Sequence, residues 1–284
     1  MNKRILLSTT LLAAGIAIAR ADESPFGYIY TSDVLPKGKF ELEQWTTARI
    51  GKESGNFLGT DLRTEIEYGF FDHLDGSLYL NYNYYYVNGA QATSGPLENQ
   101  NAFNFNGVSS EWKYQILSPY KDGFGLTLYV EPEYSTIESA TGERHQEYAL
   151  ETKLILEKHW FDDQLIGAFN YTLEPEWARP NNTVSFENSL KMEWTTGLAY
   201  RVAPRWHVGL ETRVQTEYAN SNINDSEFVS VFAGPSVHYA SGNWWATLTV
   251  LPQVWGWPNT HGTGSLTLDD NERLEVRFRV GYNF

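Results

Sequence analysis

The sequence predicts an all-β fold: a transmembrane antiparallel up-and-down β-barrel of about 12 strands. Three observations lead there. Apolar and polar residues alternate with a period of two through twelve successive segments, and helical 3.6-residue spacing fits none of them better. The connections between these segments alternate in kind, a short turn and then a longer polar loop. The chain has 18 Tyr, 15 Phe and 10 Trp and no cysteine, so it is aromatic enough to furnish interfacial belts and owes nothing to disulfides or thiolate metal chemistry.

In chain order, Asn2-Lys3-Arg4 is basic, Ile5 to Ala19 is mostly apolar, and Ala19-Arg20-Ala21 fits a small-x-small cleavage site. Residues 1–21 therefore read as a signal peptide, too short for a spanning helix. Its removal takes three bases and no acid, carrying the net charge from −14 to −17. So acidic a chain has no use for nucleic acid as a partner. Residues 22–36 contain Pro25, Gly27 and Pro36 and hold no period. They read as an irregular leader that packs under or into the barrel at 37–284.

The alternating segments are Phe40 to Arg49, Leu62 to Phe70, Ser77 to Val87, Phe103 to Ile116, Leu126 to Tyr134, Glu147 to Trp160, Leu165 to Trp177, Leu190 to Val202, Trp206 to Glu217, Phe228 to Tyr239, Trp244 to Trp255 and Leu274 to Phe284. Turn chemistry marks every second connection, as in Asp75-Gly76, Asp122-Gly123, Asp162-Asp163, Pro204 and Gly242-Asn243. The others, 51–59, 88–101, 135–144, 178–188, 218–226 and 256–272, are longer and polar. A soluble sandwich has no reason to sort its loops by parity, whereas a membrane barrel does. Even positions supply an outward apolar face, such as Leu78, Leu80, Tyr82, Tyr84 and Tyr86. Its one charge is Lys158, beside Trp160 at a strand end where snorkelling is cheap. Trp244 to Trp255 is apolar on both faces, and its orientation stays open.

The final segment alternates Leu274, Val276, Phe278, Val280, Tyr282 and Phe284 with Arg273, Glu275, Arg277, Arg279, Gly281 and Asn283. With Tyr282 and Phe284 as a barrel assembly signal, it resembles the C-terminal strand of bacterial outer-membrane β-barrels. Residues 37–284 are similar to the porin-like and transporter-like twelve-stranded members of that class. The resemblance implies export to the bacterial outer membrane and periplasmic N- and C-termini. It also implies three partners: outer-membrane lipids with lipopolysaccharide, the barrel-assembly machinery and small hydrophilic solutes.

Nearly all strand charge falls on the other, inward face, where acids outnumber bases. The expected pore lining is Glu65, Glu67, Glu111, Lys113, Glu131, Glu133, Glu151, Lys153, Glu174, Glu176, Glu193, Glu211, Arg213, Glu275, Arg277 and Arg279. Burying so many ions dry costs several kcal/mol each unless all are paired, so a hydrated interior is expected. Glu131-Pro132-Glu133 and Glu174-Pro175-Glu176 repeat one pattern and are expected to ring the external mouth, favouring cations. The same charges also fit a ladder that merely stabilises the barrel, and the prolines also fit local bulges. No residue pattern calls for a cofactor, a metal or a catalytic group. His159, His207, His238, His145 and His261 have no motif linking them to a serine. Three functions are expected in order: a solute channel of weak cation preference, a closed barrel acting through its long loops, and a barrel hydrolase.

Overall fold

A computed structural model describes residues 23–92, 94–181, 183–257 and 265–284. The expected signal peptide, residues 1–21, and His261 lie outside the described residues. Twelve strands run in order: β1 (Phe40–Ile50), β2 (Ser54–Phe71), β3 (Leu74–Gln91), β4 (Gln100–Leu117), β5 (Gly125–Ile137), β6 (Arg144–Trp160), β7 (Leu165–Pro180), β8 (Glu187–Ala203), β9 (Trp206–Ala219), β10 (Ser226–Ser241), β11 (Trp244–Trp257) and β12 (Leu274–Asn283). Each pairs antiparallel with its sequence neighbours, and β1 closes on β12 from Glu41 opposite Asn283 to Ile50 opposite Leu274. Closure leaves no sheet edge, the condition under which strands can stand in lipid.

Two connections depart from the expected parity. The first polar loop is only 51–53, because β2 begins at Ser54 rather than Leu62. On the short-turn end, 118–124 holds a single helical turn, α1 (Pro119–Asp122). The misread residues of β2, 54–61, are mostly Ser, Gly, Asn, Thr and Asp, which look like loop. They continue the ladder because β2, β3 and β4 each run 18 residues, against the roughly ten a bilayer needs. Within that stretch Phe57 turns inward onto Tyr85, Val87, Ala90 and Ile137, while its polar neighbours interrupt the alternation.

The faces fall as expected over most of the wall. Leu78 and Leu80 point out on β3, while Tyr79, Asn81 and Asn83 are buried inside. The open case of β11 resolves with Trp245, Thr247, Thr249, Leu251 and Gln253 inward. Aromatic pairs girdle the short-turn end, with Phe70 stacked on Trp112 at 5.3 Å and Trp244 edge-on to Tyr282 at 4.6 Å. Tyr82 with Phe103 and Tyr134 with Tyr148 do so nearer the long loops. Besides Lys158, Arg179 also stands at a strand end, over the Phe186 ring.

One strand changes phase midway. A bulge shifts the β3–β4 register between Asn81 opposite Gly107 and Tyr82 opposite Phe105. Before it Phe103 and Phe105 face out on odd positions, and after it Val108 and Trp112 do so on even ones. Gly107 makes the switch at φ 113°, where a Cβ would lie 1.9 Å from the Tyr134 carbonyl oxygen. Gly107→Val is therefore expected to destabilise the barrel by about 1–3 kcal/mol or more. The check is the urea midpoint of the detergent-refolded protein, read by its heat-modifiable electrophoretic mobility.

Candidate functional site

The leader settles what the lumen is. It forms no strand, so its backbone donors need partners from elsewhere. The inner wall provides them in reverse strand order. Thr247 of β11 reaches the Ser24 carbonyl, and Ser236 of β10 the Pro25 carbonyl. Glu211 of β9 accepts from the Gly27 and Tyr28 N–H groups at 2.8 and 2.9 Å, and from the Thr249 hydroxyl at 2.7 Å. Asn170 of β7 makes a two-bond pair with the Tyr30 backbone, at 2.7 and 2.9 Å. Glu157 of β6 accepts from the Ser32 N–H and hydroxyl, while Thr127 of β5 and Gln115 of β4 donate to the Ser32 carbonyl. Asp75 of β3 accepts from the Leu35 N–H at 2.7 Å. Phe26 and Ile29 meanwhile pack on Ala168 and Ala199, and Tyr28 on Phe232 and Leu251.

The leader thus circles the inner wall, and a cation–aromatic stack fills the bore against it. Arg277 lies 3.8 Å over the Tyr28 ring, Arg279 lies 3.9 Å over Trp45, and Arg63 lies 4.0 Å over Tyr79. Tyr30 meets Tyr129 edge-on at 5.1 Å, with Lys153 over both rings. Guanidinium groups tolerate such faces better than most cations because they are weakly hydrated.

Above this floor is a polar cavity of about 1310 Å³, bounded by Tyr28, Tyr30 and Trp45 below and by the long connections above. The expected lining divides here. Glu133, Glu151, Lys153, Glu174, Glu176, Glu193, Arg213, Glu275 and Arg277 border the cavity. Glu65, Glu67, Glu111, Lys113, Glu131, Glu211 and Arg279 do not: each is buried away from the cavity. The expected continuous hydrated lining is therefore a wet upper half over a dry lower half. Alternation reports which face a residue takes and says nothing about its height.

Ion pairs consume most of the upper charge. Arg213 bridges Glu193 at 2.6 Å and Glu275 at 2.9 Å, Lys191 meets Glu176 at 2.6 Å, and Lys153 meets Glu151 at 2.5 Å. Glu133 and Glu174 have no ion pair among the described residues. Of the two Glu-Pro-Glu repeats, Glu133, Glu174 and Glu176 face the cavity, whereas Glu131 is buried against Arg63 and is no part of a mouth ring. Both prolines also interrupt a ladder on one flank: β4–β5 pairing skips from Glu133 to Val130, and β6–β7 pairing skips from Glu176 to Leu173. Of the loop acids, Glu272 turns inward between Arg49 and Lys52.

The hairpin β5–β6 also joins residues that no motif linked. Ser135 Oγ lies 3.1 Å from His145 Nε2, but Glu147 stands 3.9 Å from His145 Nδ1. That is outside hydrogen-bond range, so the imidazole is not held as a base in the manner of a triad. His159 is tied to Glu157 and Asp163, and His238 to Thr247. The leader contacts Asn170, Gln115 and Thr127 went unmarked in the sequence, their only signal being inward polar positions with no partner in view; Glu157 is one of the inward acids, and Asp75, expected in a turn, lies instead in β3. At the seam Phe284 N–H donates to the Phe40 carbonyl, and its ring packs on Tyr282.

A model for a family of unknown function (DUF6662) matches residues 18–284. No curated protein matches the chain. Among solved structures, it is similar to the COG4313 outer membrane channel from Pseudomonas putida F1. Identity is 10% over 89% of this chain and 98% of that one, at a TM-score of 0.59. It is also similar to the beta domain of the Bordetella autotransporter BrkA, at 10% identity over 87% of this chain and 100% of that one, with a TM-score of 0.52. These likenesses concern the fold, which is that of a bacterial outer-membrane β-barrel.

Asp33 tests how the leader is held. Tyr120 donates to it at 3.2 Å, and burial followed by the nearby Glu157 carboxylate pushes its pKa up to about 7. An acid whose pKa is raised in the docked state favours docking while protonated, so docking weakens as pH rises through about 7. Protease cleavage within residues 23–36 of the folded barrel is expected to increase from about pH 6 to about pH 8. In Asp33→Asn that increase flattens.

Proposed function

The chain belongs to the DUF6662 family, and we propose that it is an outer-membrane channel for small hydrophilic solutes, entered from the long-loop face and obstructed below by its own leader. The observation that carries this reading is the polar cavity of about 1310 Å³. A barrel needed only as a scaffold has no use for a hydrated chamber walled by charged side chains, because a packed interior holds strands together at lower desolvation cost. In this reading both termini are periplasmic, the long loops face outward, and a solute entering the chamber waits on displacement of the leader.

Cation preference is the finer part of the proposal. Glu133 and Glu174 lack ion pairs among the described residues and stand in the cavity wall. Fixed carboxylates at a constriction concentrate cations and repel anions. The outward belts suit outer-membrane lipids and lipopolysaccharide, and the Tyr282–Phe284 end suits the barrel-assembly machinery. The second reading, a closed barrel working through its loops, is favoured by the number of bonds that seat the leader.

Planar-bilayer conductance separates the two. Refolded protein lacking residues 23–36 is expected to give stable steps with a reversal potential on the cation side, and the intact barrel smaller or rarer ones. Glu133→Gln with Glu174→Gln is expected to shift the leaderless reversal potential toward zero. Silence from folded protein both with and without the leader would overturn the channel and leave the closed barrel.

A further inference from the structure

Toward the short-turn end, the inward faces of β1 and β2 set carboxylates directly opposite one another: Glu41 faces Glu67, and Glu43 faces Glu65. Like charges opposed across a ladder repel even in water, and all four residues are at most 3% exposed. One oxygen from each of Glu41, Glu43 and Glu67 lies within 4.8 Å of the other two. Two ligands standing opposite each other on a calcium ion, each at about 2.4 Å, span that same distance.

The neighbouring cations do not balance the block. Arg279 reaches Glu43 at 2.9 Å. Lys113 lies 3.1, 3.4 and 3.7 Å from Glu67, Asp75 and Glu111. Two cations thus face six buried carboxyls, and Glu41 and Glu65 have no ion pair among the described residues. Independently of the clustering, Glu41 Oε2 and Glu65 Oε2 are buried without accepting a hydrogen bond. Bare carboxylate oxygens in a dry interior are among the costliest groups a fold can hold.

We propose that Glu41, Glu43 and Glu67, with Glu65 beside them, form a divalent cation site of the calcium class inside the barrel wall. An all-oxygen donor set excludes the nitrogen and sulfur preferences of zinc. A buried block of anionic carboxylates suits calcium's flexible coordination better than magnesium's regular, partly hydrated octahedron. The ion ties β1 to β2 beside the β1–β12 seam. Since these carboxylates are buried, the ion is taken up as the barrel folds. The proposal is independent of whether the lumen conducts.

Two indoles make the site readable. Trp45 Nε1 donates to Glu43 at 2.7 Å, and Trp245 Nε1 donates to Glu41. A bound terbium(III) ion, a luminescent substitute for calcium, would therefore be sensitised by tryptophan. The full-length barrel, refolded from chelator-treated protein with terbium, is expected to bind one ion with sensitised luminescence that calcium displaces. Glu41→Gln with Glu67→Gln is expected to weaken binding by about tenfold or more, while Glu174→Gln in the cavity wall leaves it unchanged. Heat-modifiable mobility reports that each variant has folded, and Glu41→Gln alone replaces the double variant if that one does not. Folded wild type without sensitised luminescence, or luminescence lost in Glu174→Gln and retained in the Glu41 and Glu67 variant, would overturn the site.

Discussion

A backbone N–H or C=O without water must find a partner within the protein. The strands answer with a closed ladder that leaves no edge. The leader has no ladder to join, so side chains stand in for one. Glu211, Glu157, Asp75 and Asn170 accept from its N–H groups at 2.7 to 2.9 Å. Bonds from an N–H to a carboxylate are roughly twice as strong as neutral ones, and here they fall on residues spaced around the wall. The leader is thereby seated as a ring, which divides the lumen into two different environments.

Above the ring, the half-buried pair of Lys191 with Glu176 borders the cavity, where water can solvate charge. Below it, charge must be met by protein. Arg279 is sandwiched between Trp45 and Trp245 and bonded to Glu43, and Lys113 is shared among three carboxyls. The same Glu residue type therefore does different work at different heights. Glu133 faces a chamber, Glu211 holds a backbone, and Glu41 sits in a block that protein cations leave unbalanced.

Much of this could be read from residues alone. Twelve strands, their order, the outward face and the sorting of loops by parity all come from a period of two, since lipid and lumen impose opposite polarity on alternate positions. The reading failed where that pressure lapses. Residues 54–61 of β2 mix Ser, Gly, Asn, Thr and Asp with Phe57 and Leu58 and show no sustained polar–apolar alternation of residue types. Residues 100–106 of β4 alternate in the opposite phase, because one glycine bulge at 107 adds a residue to the strand.

The sequence by itself determined the barrel and which side chains turn inward, because each strand residue has only two faces to choose between. Only the tertiary structure decided what the inside does. Pairing across the bore joins residues far apart in the chain, such as Gly27 with Glu211 and Leu35 with Asp75. No local period encodes those distances. The course of the leader, the height of each carboxylate and the split between wet and dry halves depend on where a closed wall brings the side chains together.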